Sequence, residues 1–237
     1  GAPKKVPDHS LLAKGDFMRS VFPLSLALLS LGFFTACGSA PEAEDATADV
    51  QSGSEGDMSA AEMAQDISCW LRGATLEEAM ERVSPLGETE ILLEGHTAKI
   101  CYGRPSAKGR AVEGGLIPFG QPWRLGANEA TALHLPFPVE VGGIPLEAGS
   151  YSLYAIADEF EWQFVLNSNA ERWGIPFSDE VRATDVGTFT GLPRALTEPV
   201  EQFTINWHTD GGDNGHLALE WGSTRVEIEV KLLAHVH

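Results

Sequence analysis

Arg104, Lys108, Arg110 and Arg124 crowd into one stretch of an otherwise strongly acidic chain. Guanidinium forks match carboxylate, phosphate and sulfate oxygens bidentately, so this cationic island is a candidate anion pocket. Tyr102 and Trp123 flank it and offer faces for a sugar or aromatic ring, and Asn128 and Glu129 add polar groups that would orient a ligand. These eight residues form the candidate binding site, for a small anionic or sugar ligand. The same residues admit a structural reading. Arg124 would then pair with Glu129 and with backbone carbonyls, Tyr102 and Trp123 would be core aromatics, and the surrounding glycines would be turn residues. Two hypotheses follow. One is a non-catalytic binding or structural module. The other is an enzyme acting on a glycan or other anionic substrate through Arg124, Asn128 and Glu129. An open pocket lined by Arg104, Arg124 and Glu129 would favour a ligand; the same residues sealed and paired would favour a scaffold.

The island lies within longer stretches that carry a resemblance. YGRPSAKGR, GQPWRLGANEAT, LEAGSYSLYAI and ERWGIP, spread over residues 84–231, resemble the DUF2911 family (domain of unknown function 2911) of bacterial exported proteins. The resemblance implies a domain and an exported, lipoprotein-like setting. The family has no settled activity, so no residue role is carried over from it.

Other chemistry is sparse. The chain has no Gly-x-Ser-x-Gly elbow, Walker loop, dinucleotide fingerprint or His-Glu-x-x-His motif, and no cofactor is expected. Glu129 as a general acid lacks an identified second carboxylate. His208, Asp210, Asp213 and His216 are residue types that bind divalent metals. They occupy the most turn-like stretch of the chain, where Asp serves local backbone needs, so no metal site is assigned there. A terminal His235-Val236-His237 is read the same way.

Three cysteines constrain the compartment. Residues 18–36 begin with Met18-Arg19 and continue as the uncharged run VFPLSLALLSLGFFTA, which reads as a secretory signal. Phe34-Thr35-Ala36-Cys37 resembles a bacterial lipobox, which implies a lipoprotein signal peptide with Cys37 the lipidated residue. A plain signal peptide cut near Ala36 and a retained anchor helix are the alternatives, although Pro23 and Gly32 make a poor span. Residues 1–17 read as an upstream, non-native start. If Cys37 carries lipid, Cys69 and Cys101 remain as a disulfide pair in an oxidising compartment, or as two buried thiols. The expected partner is then a membrane, held through acyl chains, on the periplasmic side or at the outer membrane.

Charge agrees with that address. The net charge is −18, and because residues 1–36 carry Lys4, Lys5, Lys14 and Arg19 against Asp8 and Asp16, the chain from Cys37 onward stands at −20. Such a chain repels phosphate backbones, so no nucleic-acid partner is expected. Residues 37–58 are small, polar and acidic, and read as a disordered tether.

The elements that must position the island follow from periodicity. Residues 59–83 read as one or two short helices, with capping boxes at Ser59/Glu62 and Thr75/Glu78, a break at Gly73 and an end at Pro85. Residues 84–237 read as one β-rich domain. Phe203, Ile205 and Trp207 alternate with polar residues, as do Leu217, Leu219 and Trp221, and Val226, Ile228 and Val230. Residues 131–137, 150–157 and 161–166 add further strands. Turns are expected at 142–143, 158–159, 209–215 and 222–224. The fold class is therefore all-β: an antiparallel β-sandwich or jelly-roll-like barrel with one or two short N-terminal helices.

Overall fold

Two-residue turns set the first hairpins. The computed structural model describes residues 67–233. Strand β1 (Leu86–Leu93) turns into β2 (His96–Gly103) through Glu94 and Gly95, both at positive φ (47° and 84°), as a type I′ turn requires. Gly142 and Gly143, at φ 58° and 84°, do the same between β5 (Val139–Val141) and β6 (Ile144–Leu146). The remaining strands are β3 (Pro122–Trp123), β4 (Thr131–Leu135), β7 (Gly149–Ala157), β8 (Trp162–Asn167), β9 (Asp185–Gly191), β10 (Arg194–Gly211) and β11 (Asn214–Leu232).

All strand pairs are antiparallel. One sheet runs β1-β2-β4-β7-β8-β9, with β3 paired to β7; the second runs β10-β11-β5-β6. This is the expected sandwich, with two open sheets in place of a closed barrel. Both sheets contribute to one core: Ile91, Ile100, Leu133, Leu153 and Phe164 from the first, and Phe203, Ile205, Leu219 and Val230 from the second. Trp123 lies at its centre, with ring centroids 5.3 Å from Phe203, 5.8 Å from Trp162 and 6.0 Å from Trp221. Aromatic pairs at such spacings add to the area they bury.

The expected turn at 222–224 is instead an irregularity inside one long strand. Leu217, Leu219 and Trp221 face the core before it, and Val226, Ile228 and Val230 after it, so the inward parity switches. Gly222, at φ 58°, absorbs the switch, and Glu113 Oε1 accepts from Ser223 N and Thr224 Oγ1, each at 2.8 Å. A bulge that shifts parity keeps both halves of a long strand on the core.

The helical segment expected over 59–83 is mostly not helical where it is described. Only Leu76–Met80 forms helix α1, with the Thr75/Glu78 capping box in place. Residues 67–75 form no helix; Arg72 and Gly73 turn at φ 51° and 86°, and the Cys69–Cys101 disulfide ties the segment to β2. That cross-link, with Gly73, outweighs the helical spacing of the apolar residues. The disulfide itself is as expected, and closing a loop of this length stabilises by roughly 3–4 kcal/mol in the chain-entropy view. The signal peptide, Cys37, the acidic tether, Ser59, Glu62, His235 and His237 lie outside the described residues.

The two sheets are also joined by polar groups. The Tyr102 hydroxyl on β2 donates to the Ile205 carbonyl at 3.2 Å and accepts from the Ile205 N–H at 2.9 Å, while Thr89 Oγ1 donates to that same carbonyl at 2.6 Å. Removing the hydroxyl leaves the buried Ile205 N–H without an acceptor. Tyr102→Phe should lower unfolding free energy by about 1–3 kcal/mol, read from urea denaturation at an unchanged m-value.

Candidate functional site

The loop after β2 runs alongside β10 where β10 leaves its register with β11. Register shifts fall between Ala195 and Thr204, so this stretch of β10 needs other partners. The loop supplies them. Ala107 N donates to the Glu201 carbonyl at 2.8 Å, and Phe203 N donates to the Pro105 carbonyl at 2.9 Å. Arg104 Nε and Nη2 donate to the Phe203 carbonyl and to Thr204 Oγ1 at 3.3 and 3.1 Å. Arg110 turns back onto its own loop, donating to the Ala107 and Ser106 carbonyls at 2.9 and 2.8 Å. Lys108 gives its backbone N–H to Glu201 Oε1 at 2.7 Å and leaves its side chain exposed.

The other predicted residues separate into two places. Tyr102 and Trp123 are 4 % and 7 % exposed and face the core. Arg124, Asn128 and Glu129 lie on the loop before β4. That loop passes β2 closely: a Cβ on Gly103 would overlap the Ala127 carbonyl, and one on Gly126 would stand 2.6 Å from the Gly103 oxygen. These two glycines let two of the long motif stretches meet backbone to backbone.

Asn128 Nδ2 donates to the Ser84 carbonyl at 2.9 Å, and Glu129 Oε2 pairs with Arg82 Nη1 at 2.7 Å, so Glu129 takes Arg82 and not Arg124. The second oxygen, Glu129 Oε1, is buried without a partner among the described residues. A cavity of about 10 Å³ beside it, bounded by Trp70, Tyr102 and Asn128, has room for about one water. The Arg124 stem packs on Gly174, and its guanidinium makes no ion pair or hydrogen bond to another described residue; burial pulls its pKa below the ordinary value. The eight residues thus form no single open pocket.

The His/Asp group of the β10–β11 hairpin also diverges. The His208 and His216 rings stack at 5.1 Å across the strands, His216 Nδ1 lies 3.1 Å from Asp210 Oδ2, and Asp213 turns to Lys231 at 4.0 Å. No cluster of three metal-ligating side chains occurs among the described residues.

A different face carries the polar groups that sequence reasoning missed. On the first sheet the residues alternating with the core line the outer surface: Cys101 on β2, His134 on β4, Ser150, Ser152 and Tyr154 on β7, and Asn167 on β8. Two straps cover it. One is residues 67–83, held by Cys69–Cys101, Arg82–Glu129 and the Asn128–Ser84 bond. The other is residues 168–184, which contains helix α2 (Asp179–Arg182). Arg72 of the first lies 5.1 Å over the Trp173 ring of the second.

Under the second strap the polar groups largely satisfy one another, Arg172 Nε being the one without a partner among the described residues. Asn167 Nδ2 donates to Asp185 Oδ1 at 2.8 Å and to the Val181 carbonyl at 2.6 Å, and the Tyr154 hydroxyl donates to Asp185 Oδ2 at 2.8 Å. Burial, then this bond and the Asp185 charge, push the Tyr154 phenol up to about 12. Arg172, 8 % exposed, donates to the Trp173 and Gly174 carbonyls, both at 3.3 Å, and faces Phe177. These groups hold a strap that has no regular hydrogen-bond ladder of its own.

Between the straps a cleft of about 310 Å³ reaches the sheet. Its floor is His134 and Ser150, whose Nδ1 and Oγ stand 2.9 Å apart; Glu171 and the segment Ser68–Ala74 form its walls. His134 is 9 % exposed and its Nε2 has no partner among the described residues. A Ser–His pair is the start of a nucleophile–base arrangement, but among the described residues no carboxylate holds the second ring nitrogen as an orienting third member. The only sequence signal was a pair of polar residues in strands, which periodicity alone assigns to a wet surface.

A family model described as protein of unknown function (DUF2911) matches residues 84–230. No curated protein and no solved structure matches the chain.

Burial, then the Lys99 charge, hold the His134 pKa below its ordinary 6.5, against smaller opposing effects of Glu171 and Glu88. The unfolded chain therefore binds the proton first as pH falls. The stabilisation from neutral His134 is complete above pH 6.5 and is lost as pH drops below that value toward the folded pKa. His134→Asn should flatten this part of the thermal midpoint against pH curve, recorded by circular dichroism; an unchanged slope counts against a neutral His134.

Proposed function

The chain belongs to the DUF2911 family of proteins of unknown function, and from that premise we propose a cell-envelope protein, exported and held at a membrane by an acylated Cys37. Its β-sandwich acts as a binding or structural module and not as an enzyme built on the Arg-rich loops. The observation that carries the address is the Cys69–Cys101 bridge. A disulfide fits an oxidising compartment, and this one leaves Cys37 as the odd cysteine directly behind an uncharged apolar run. Two or more acyl chains on that residue anchor durably, since each buried methylene contributes about 0.8 kcal/mol. The acidic residues that follow keep the domain away from anionic surfaces.

The non-catalytic reading of the island rests on where its donors go. Arg104 and Arg110 give donors to backbone carbonyls of the fold, and one oxygen of Glu129 pairs with Arg82, so these groups are committed in part to the fold itself. Residues that stabilise a loop in this way lower stability when removed and leave ligand response alone.

Two experiments test the two halves of the proposal. Bacteria fed an alkyne fatty acid should label the full-length protein and retain it in the membrane fraction, whereas Cys37→Ser should lose the label and become soluble; a labelled Cys37→Ser protein overturns the anchor. Arg104→Ala should cost about 2 kcal/mol of stability, the range for hydrogen bonds from a charged donor. Its melting response to sulfate should match that of the wild type, and a sulfate stabilisation lost with Arg104 would restore the anion pocket.

A further inference from the structure

The cleft between the straps has a ligand chemistry of its own. Three independent features meet there. It is a concavity of about 310 Å³, at the lower end of the roughly 300–1,000 Å³ found for small-molecule sites. Its floor contains an imidazole more than nine-tenths buried with one ring nitrogen unpartnered among the described residues. Its walls combine an indole, Trp70, with the hydroxyls of Ser68 and Ser150 and the carboxylate of Glu171.

We propose that this cleft binds a neutral, hydroxyl-rich ligand of monosaccharide size, with His134 and Ser150 as its floor, Glu171 as an acceptor and Trp70 as its apolar wall. The inference rests on the binding-module reading and supplies the ligand that reading lacks.

Charge selects the class. No Lys or Arg lines the cleft among the described residues, Lys99 next to His134 is paired with Glu88 at 3.0 Å, and Glu171 stands in the wall, so an anion meets a negative charge with no unpaired cation in the lining. One carboxylate and one imidazole fall short of the three or more protein ligands of a metal site, and no such group occurs among the described residues. A sugar hydroxyl suits an imidazole in either tautomer, because it donates to a bare ring nitrogen and accepts from a protonated one, and pairing the buried Nε2 requires the ring to turn toward the ligand. Carboxylates accept two hydroxyl bonds side by side, and the apolar C–H face of a pyranose lies against an indole. The disulfide holds Ser68 and Trp70 over the sheet, so the walls are organised before the ligand arrives.

The test uses the full-length protein with D-glucose, D-galactose and N-acetyl-D-glucosamine as probes, followed by saturation-transfer NMR and calorimetry. At least one sugar should bind with a millimolar or tighter Kd and shift the ring nitrogen signals of His134. Ser150→Ala and Glu171→Gln, both at exposed positions, should each weaken that binding at least fivefold; Glu171→Gln should leave Tm unchanged, whereas Ser150→Ala removes the one partner of His134 and should lower it. Sodium sulfate and tetramethylammonium should not compete. No binding by any of the three sugars overturns the proposal, as does binding that both variants leave unchanged. Either failure stands apart from the membrane anchor, whose acyl label and fractionation do not depend on this cleft.

Discussion

The Tyr102 hydroxyl sits between two sheets and serves both backbone groups of Ile205, a residue 103 positions away. Much of the fold is arranged around the need for that join. Strand β10 pairs with a long β11 whose inward parity switches at Gly222, and across the switch the register between the two strands is irregular. Buried strand groups without partners are costly. The loop after β2 fills the gap with backbone pairs from Pro105 and Ala107 and with the Arg104 guanidinium. A guanidinium suits the task because it presents several donors in a fixed plane and remains charged when partly desolvated. Two of the four cations of the island, Arg104 and Arg110, give donors to this irregular stretch and to the loop beside it.

The same economy of partners shapes the outer face of the first sheet. A two-sheet sandwich usually leaves that face to solvent. Here two straps of mostly irregular chain lie across it, and irregular chain needs fixed partners for its backbone. The first strap has a disulfide, an ion pair and a side-chain bond to its carbonyl. The second has the buried Arg172 and Asn167 and the exposed Asp185 that Asn167 meets. Where the straps part, polar residues of β4 and β7 are left at the bottom of a cleft instead of on an open surface. Burial without full satisfaction separates His134 from its neighbours: Asn167 has several partners, whereas His134 has one.

Local chemistry was legible wherever a short pattern has one physical solution. The alternation at 203–207 and 217–221, the paired glycines at 142–143 and the Thr75/Glu78 capping box all appear as read. The Cys69–Cys101 pair followed from counting cysteines once Cys37 was set aside. Reading failed where a pattern has several solutions. Gly222-Ser223-Thr224 suits a turn or a bulge equally, and only the requirement to keep Val226 and Ile228 on the core selects the bulge. The apolar spacing before Gly73 suits a helix, but a cross-link to β2 holds that stretch in another path.

By itself the sequence determined the all-β class, the antiparallel pairing, the disulfide partners and an island of positive charge in an acidic chain, because each depends on residue type and near spacing. Tertiary structure decided what the island does and where an open cleft lies. Arginine has no fixed partner until distant backbone is brought to it, and Arg104 meets Phe203 and Thr204 only through the sandwich. The cleft draws on residues 68–74, 134, 150 and 171, which no local pattern connects. A two-residue period tells which face a side chain takes, but not what will cover that face.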